Sequence, residues 1–263
     1  MRRSGNHAIA AFLARNAPEG RSIFLNDCRP GLSPLEGFGG IGVNGARSAV
    51  KAAQRDLAAA VAPAGEGALL ILSYEDLPPD SRPKGGPISG AFDETLITAD
   101  LLVHRGFLNW AASLLRKVQG NPAYGAARRG ALVLGALDGY ARMLALAEAS
   151  EDLGLTCLRY DDWCAAASAR EALLEELGLP ARDLSLGPVQ PYGGGSSFQK
   201  EAVDGAELRT DARWREMADD PEYAAILSIA RRDGALMDRL ARHYPEDAEQ
   251  LSRLPAAPRL LPD

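Results

Sequence analysis

Arg2-Arg3-Ser4-Gly5-Asn6-His7-Ala8-Ile9 decides how the rest of this chain is read. Two cationic residues precede a Ser-Gly pair, which lets the backbone turn tightly and point successive N–H groups outward. An apolar helix follows at once, from Ala8 to about Asn16, and its N-terminus brings the positive end of a helix dipole to the same mouth. The stretch reads as an anion-binding turn opening onto a helix. It is not a GxxxxGK[ST] loop, because Asn6 and not Lys follows Gly5.

Working outward, Ser22–Asn26 reads as a buried strand with Asp27 at its carboxyl end, and residues 29–43, rich in Gly and Pro, as a loop. Ala46 to Val61 is expected to be one helix, with Val50, Ala53, Leu57 and Val61 on a stripe. The apolar runs Ala68–Ser73, Ala99–His104 and Leu155–Tyr160 read as further buried strands. The first ends in Tyr74-Glu75-Asp76, the second in Arg105 and the third in Asp161-Asp162. Helices are expected over 107–118, 126–148 and 170–177, the second well buried because both of its faces are apolar. Residues 79–91 read as a lid-like loop, 183–205 as an aperiodic segment, and the tail from Pro255 as loosely held. Strands alternating with helices predict an α/β fold on a parallel, doubly wound sheet, whose ligand crevice lies at the carboxyl ends of the strands.

Composition narrows the function classes. A chain of 263 residues, 46% hydrophobic, buries a sizeable core in one large α/β domain or two small ones. Its formal net charge of −6 argues against a nucleic-acid partner, so local basic clusters must carry any anion binding. The three cysteines, Cys28, Cys157 and Cys164, form no CxxC pair, which fits a reduced, cytoplasmic protein without a zinc site. Met1-Arg2-Arg3 begins like an export signal, but Asn6, His7 and Arg15 interrupt the apolar core that one needs. No apolar run reads as long enough to cross a bilayer.

Four stretches, in order, resemble the sulfotransferase family. Arg3-Ser4-Gly5-Asn6-His7 is similar to its 5′-phosphosulfate loop, and Arg105 followed by Ser113 has the spacing of its 3′-phosphate motif. Tyr160-Asp161-Asp162-Trp163 with the downstream Leu177-Gly178 resembles its Tyr-Glu-Asp-Met stretch, and Tyr74-Glu75-Asp76-Leu77-Pro78 stands where cytosolic members carry Lys-Thr-His-Leu-Pro. The resemblance implies a three-layer sandwich with a central parallel sheet, of the P-loop nucleoside triphosphate hydrolase type. It implies one domain, 1–263: a nucleotide-binding core over 1–180, C-terminal loop and helices over 181–254, and a tail over 255–263. The co-substrate would be 3′-phosphoadenosine 5′-phosphosulfate (PAPS), without a metal, and the acceptor a small molecule or glycan carrying a hydroxyl or amine.

In that frame Arg3 neutralises charge on the bridging oxygen, and the N–H groups of Ser4, Gly5, Asn6, His7 and Ala8 cradle the phosphosulfate. Arg105 and Ser113 hold the 3′-phosphate and Tyr160 lies near the adenine. The loop Gly193–Phe198 stands in the place of a basic loop of the family; lacking its cations, it leaves Lys200 or Arg213 to supply them. No histidine stands where cytosolic members have their base, so the candidates are Glu75, then Asp27, then Asp76, while His7, inside the phosphate loop, is expected to help pack it or to bind sulfonate oxygens. The family's first strand precedes its phosphosulfate loop. Its lack here implies two open strand edges and a chain that starts downstream of its native start or is a truncated copy. Two rival classes stand beside a sulfotransferase: a small-molecule kinase, which the absent Walker lysine disfavours, and a degenerate nucleotide-binding or interaction protein that keeps the fold without turnover.

Overall fold

In the computed structural model, which describes residues 3–75, 88–190 and 196–254, the opening turn leads into α1 (Asn6–Arg15). Ile9, Phe12 and Leu13 bury one face of α1 against Leu158, Trp163 and Leu174. The same cluster gathers Leu69, Ile71, Leu101 and Val103, so α1 packs across strands of two different sheets. Phe12 is fully buried with its ring edge-on to Trp163 at 5.4 Å; truncation to Ala would cost about 3–5 kcal/mol.

The first sheet has the order β3-β2-β1-β4: β1 (Ser22–Asn26), β2 (Gly40–Val43), β3 (Ala46–Arg47) and β4 (Leu69–Leu72). β1 runs parallel to β4 and antiparallel to β2. Between β2 and β4 lie α2 (Val50–Arg55) and α3 (Leu57–Val61). The second sheet is the parallel pair β5 (Asp100–His104) and β6 (Leu155–Arg159). The α/β class holds, but the described strands form two small sheets in place of one central parallel sheet. Among the described residues β4 and β5 each keep one edge without a strand partner, and both strands, apolar throughout their centres, are largely half-buried.

Two local expectations fail for identifiable reasons. The expected loop 29–43 ends in β2, whose Gly-Ile-Gly-Val run is buried throughout, and Asn44-Gly45 turns the chain with φ of 49° and 77°, the hairpin dipeptide in left-handed conformation. The expected helix 46–61 starts with β3 and then breaks at Asp56, whose carboxylate accepts the Ala59 N–H at 2.9 Å and caps α3.

α4 (Phe107–Gln119) and α5 (Ala126–Glu148) form the heart of the larger core with the C-terminal helices. α6 (Ser150–Leu153) precedes β6, and α7 (Tyr160–Ala165) and α8 (Ala167–Glu176) follow it. Beyond the aperiodic segment come α9 (Arg213–Glu216), α10 (Pro221–Arg232), α11 (Gly234–His243) and α12 (Pro245–Arg253). α5 is less buried than expected. Val133, Leu137, Tyr140, Met143 and Leu144 face the core, while Leu132 and Leu134 are exposed. By length and composition α5 also reaches what a bilayer crossing needs, against the sequence reading that no run does. Residues 76–87, which hold Asp76 and most of the expected lid, the Gly193–Gly195 part of the glycine loop, and the tail from Pro255 lie outside the described residues.

Candidate functional site

Gly5 is the hinge of the site. Its φ of 98° is left-handed, and a Cβ built on it would stand 2.2 Å from ring atoms of Tyr160. Only glycine permits both the turn and this approach. Tyr160, the first residue of α7 and not the last of a strand, thus lies directly against the anion turn. Within the turn Ala8 donates its N–H to the Gly5 carbonyl at 2.9 Å, so that group is committed to the helix and not to the expected cradle. Ser4 is fully buried.

A cavity of about 1090 Å³ opens at this turn, and Arg3, Gly5, Asn6, His7 and Ala8 form part of its wall. Three arginines converge on it. Arg3 comes from the turn with φ 64°, Arg105 from the carboxyl end of β5 and Arg213 from the first turn of α9. Arg105 is 1% exposed and Arg213 5%. Each of the three keeps a buried Nε without a hydrogen-bond partner. Burial, then the charges of Arg105 and Arg3 around a tyrosine that opposes them, pulls the Arg213 guanidinium down to about 9; burial followed by Arg105 also lowers Arg3. Asp161 stands 3.8 Å from Arg105 Nε, and its carboxylate accepts from the Gly106 N–H at 2.7 Å just before α4. Like cations forced together away from water are unfavourable unless an anion joins them.

The protein's own contacts hold the three in place. Arg3 donates to Ser197 Oγ at 3.1 Å, and Arg105 donates to the Thr210 carbonyl and lies over the Tyr160 ring at 5.3 Å. Arg213 donates to Ser113 Oγ at 2.6 Å and lies over Phe198. The Arg105–Ser113 spacing therefore does bring both residues to one place, but Ser113 is fully buried behind Arg213 and reaches the site through it. Arg213 takes up one of the two cationic alternatives, whereas Lys200 is an exposed residue of the cavity wall.

Across the cavity, at the carboxyl ends of β1 and β4, the character changes. Glu75 Oε1 accepts from Asn6 Nδ2 at 3.1 Å and lies 3.0 Å from His7 Nε2. His7 Nε2 also meets Asn26 Oδ1 at 3.1 Å. Asp27 lines the same corner, is exposed, and holds a left-handed φ of 53°. Of the three expected carboxylates, Glu75 and Asp27 stand here, and Asp76 is outside the described residues. The ring of His7, expected to help pack the loop or to bind sulfonate oxygens, is turned to Glu75. Asn26 escaped the sequence reading, although it ends the β1 strand next to Asp27. A third wall carries the apolar Trp110, Leu114, Leu132 and Ala136 interleaved with Arg116, Lys117, Gln119 and Asn121. Among the described residues no group of three or more His, Cys, Asp or Glu is arranged to hold a metal ion.

No family model matches the chain, and searches of curated proteins and of solved structures return no match.

Proposed function

We propose that the chain is a sulfotransferase that moves the sulfuryl group of PAPS to a hydroxyl or amine, on a P-loop-like α/β scaffold. The observation that carries this reading is the buried cluster of Arg3, Arg105 and Arg213, which among the described residues has one carboxylate, Asp161, within ion-pair distance and opens into a cavity of about 1090 Å³. A co-substrate with anionic groups at both its 3′ and 5′ positions supplies the missing charge. Arg3 and the Gly5 turn would take the phosphosulfate, and Arg105 with Arg213, set by Ser113, the 3′-phosphate. Tyr160 with the apolar side chains Trp110 and Leu114 would take a planar base. Sulfuryl transfer asks mainly for alignment and for charge stabilisation on the leaving oxygen, which buried guanidinium groups provide. The corner around Glu75 and Asp27 would receive the acceptor and its proton.

Calorimetric titration tests the reading. Adenosine 3′,5′-bisphosphate should bind more tightly than ATP, and Arg105→Ala should weaken it by about 100-fold, the scale of a lost charge-assisted contact in a buried site. Preference for ATP, or indifference to the substitution, sinks it. A screen with radiolabelled PAPS over sugars, phenols and lipids then identifies the acceptor. The edges of β4 and β5 that lack a strand partner among the described residues favour the second reading, a binding protein without turnover; tight bisphosphate binding with no acceptor sulfated would select it.

A further inference from the structure

α5 buries one face and leaves the other bare. Val133, Leu137, Tyr140, Met143 and Leu144 pack into the core, and the Tyr140 hydroxyl donates to the Arg105 carbonyl at 2.7 Å. At about 3.6 residues per turn, the opposite face of its first half carries Ala127, Ala131, Leu134 and Gly135, with Leu132 at its margin. All five are exposed, Leu132 at 42% and Leu134 at 50%. A contiguous apolar face in water marks a surface that meets something apolar. The charged residues around it are cations. Within 126–136 they are Arg128 and Arg129. Arg129 is spent on Glu222, whereas Arg128 lies over the Tyr124 ring at 4.5 Å. Arg116 and Lys117, exposed at the end of α4, line the same cavity wall as Leu132. Carboxylates on neighbouring turns and elements are engaged: Glu222 by Arg129, Asp220 by Gln119 and the Tyr223 N–H, and Asp138 by Arg142 at 2.7 Å.

We propose that this face of α5 docks on a lipid bilayer carrying anionic headgroups. The proposal goes beyond the sulfotransferase reading and does not depend on it. Charge selects the occupant. The chain as a whole carries −6, so an anionic membrane repels most of its surface, and attachment requires a local cationic rim. Arg116, Lys117 and Arg128 form that rim, and their long stems can lie along apolar surface while the charged heads reach phosphates. A second copy of the chain docked through the same face would bring identical cations together across a two-fold axis. The apolar part is the outer face of a helix, a shape that suits the boundary between headgroups and acyl chains, into which such a helix sinks by about 5–10 Å. α5 has the length and hydropathy of a bilayer-crossing helix, with only 33% of its most apolar window buried. It does not cross while Tyr140 and Leu144, both fully buried, are held in the core, so it lies in the plane of the interface.

Co-flotation of the full chain with lipid vesicles is the test. The chain should float with vesicles of phosphatidylcholine and phosphatidylglycerol in equal parts, stay behind with phosphatidylcholine alone, and be released from the mixed vesicles by added salt. Arg116→Ala and Arg128→Ala should each weaken the partition about fivefold, the scale of one cation at an anionic surface. Leu134→Asp should weaken it at least about tenfold, because a carboxylate then enters the boundary in place of an apolar side chain. Leu134 is exposed, so this variant should keep the wild-type unfolding midpoint and its loss of flotation reports on the surface and not on folding. No flotation with the mixed vesicles, equal flotation with both kinds, or flotation unchanged in Leu134→Asp overturns the proposal. So does a lipid-free dimer, seen by sedimentation equilibrium, that Leu134→Asp dissociates: the face would then belong to a second copy of the chain.

Discussion

On the α4 side of the cavity Arg3, Arg105 and Arg213 crowd like charges into a buried space, each with an Nε that has no hydrogen-bond partner. On the β4 side the Glu75 carboxylate is met by Asn6 and His7, and His7 in turn by Asn26, with Asp27 exposed beside them. The two regions come from neighbouring residues of one turn, since Arg3 serves the first and Asn6 and His7 the second. Their difference lies in charge balance. In a low-dielectric site an unbalanced cluster is costly until an anion arrives, whereas a locally paired group holds its geometry without one. Excess charge marks where a ligand completes the structure, and saturation marks where the protein has already set its own side chains.

The most damaging way to break this comparison is Gly5→Ala, which strikes both regions. The new methyl would lie 2.2 Å from Tyr160 at a backbone φ of 98°. Strain and overpacking together should cost about 3 kcal/mol in denaturant unfolding, with bisphosphate binding lost as well. A variant of wild-type stability would show that the turn relaxes freely. Sulfate sharpens the arginine side next. At about a hundred times its Kd it should stabilise the wild-type protein by about 2.7 kcal/mol. In Arg213→Met most of that gain should vanish, while the sulfate-free stability shifts by less than about 1 kcal/mol, because the lost Ser113 contact is offset by relief of like-charge repulsion. Equal sulfate stabilisation of both proteins would remove Arg213 from the anion site.

The smallest effect separates protons at the cavity from protons in the core beneath α4. His104, 2% exposed and bonded to the Tyr244 hydroxyl, is pulled by burial to about 4 from an ordinary 6.5. The folded state therefore binds fewer protons than the unfolded chain between about 4 and 6.5, and this contribution to stability is lost as pH falls through that window. Asp247, which accepts from the Leu108 N–H at 3.2 Å, is pushed by burial up to about 6 from 3.8. Here the folded state binds more protons, so stability declines as pH rises from 3.8 to about 6. The slopes oppose each other over most of the range. His104→Gln should unmask Asp247, and its unfolding free energy should fall by about 2 kcal/mol between about pH 4 and pH 6, where the wild-type protein stays nearly flat. Parallel profiles for the two proteins would show that the core does not titrate this way.

Much of the fold was legible because short apolar runs and breakers are local signals. β1 and the helix over 126–148 fall on their expected residues, and β4, β5 and β6 within one residue at either end. The hairpin of β2 and β3 escaped because Gly40 and Gly42 carry no side-chain pattern, although Asn44-Gly45 was its sign. The burial of α5 escaped because periodicity tells which residues are apolar and not what packs on them. Of the site, Arg3 and Arg105 with Ser113 could be placed from motif spacing, and Glu75 and Asp27 from their position after strands.

By itself the sequence determined the turn at Ser4-Gly5, the helix behind it and the polar residues that end each strand, because all of these depend on neighbours along the chain. Tertiary structure alone decided that Arg213, more than two hundred residues from Arg3, completes the cationic cluster, that Ser113 serves Arg213, and that the His7 ring is turned to Glu75. Charge repulsion, burial and a shared proton act through space between segments whose separation along the chain carries no trace of their meeting.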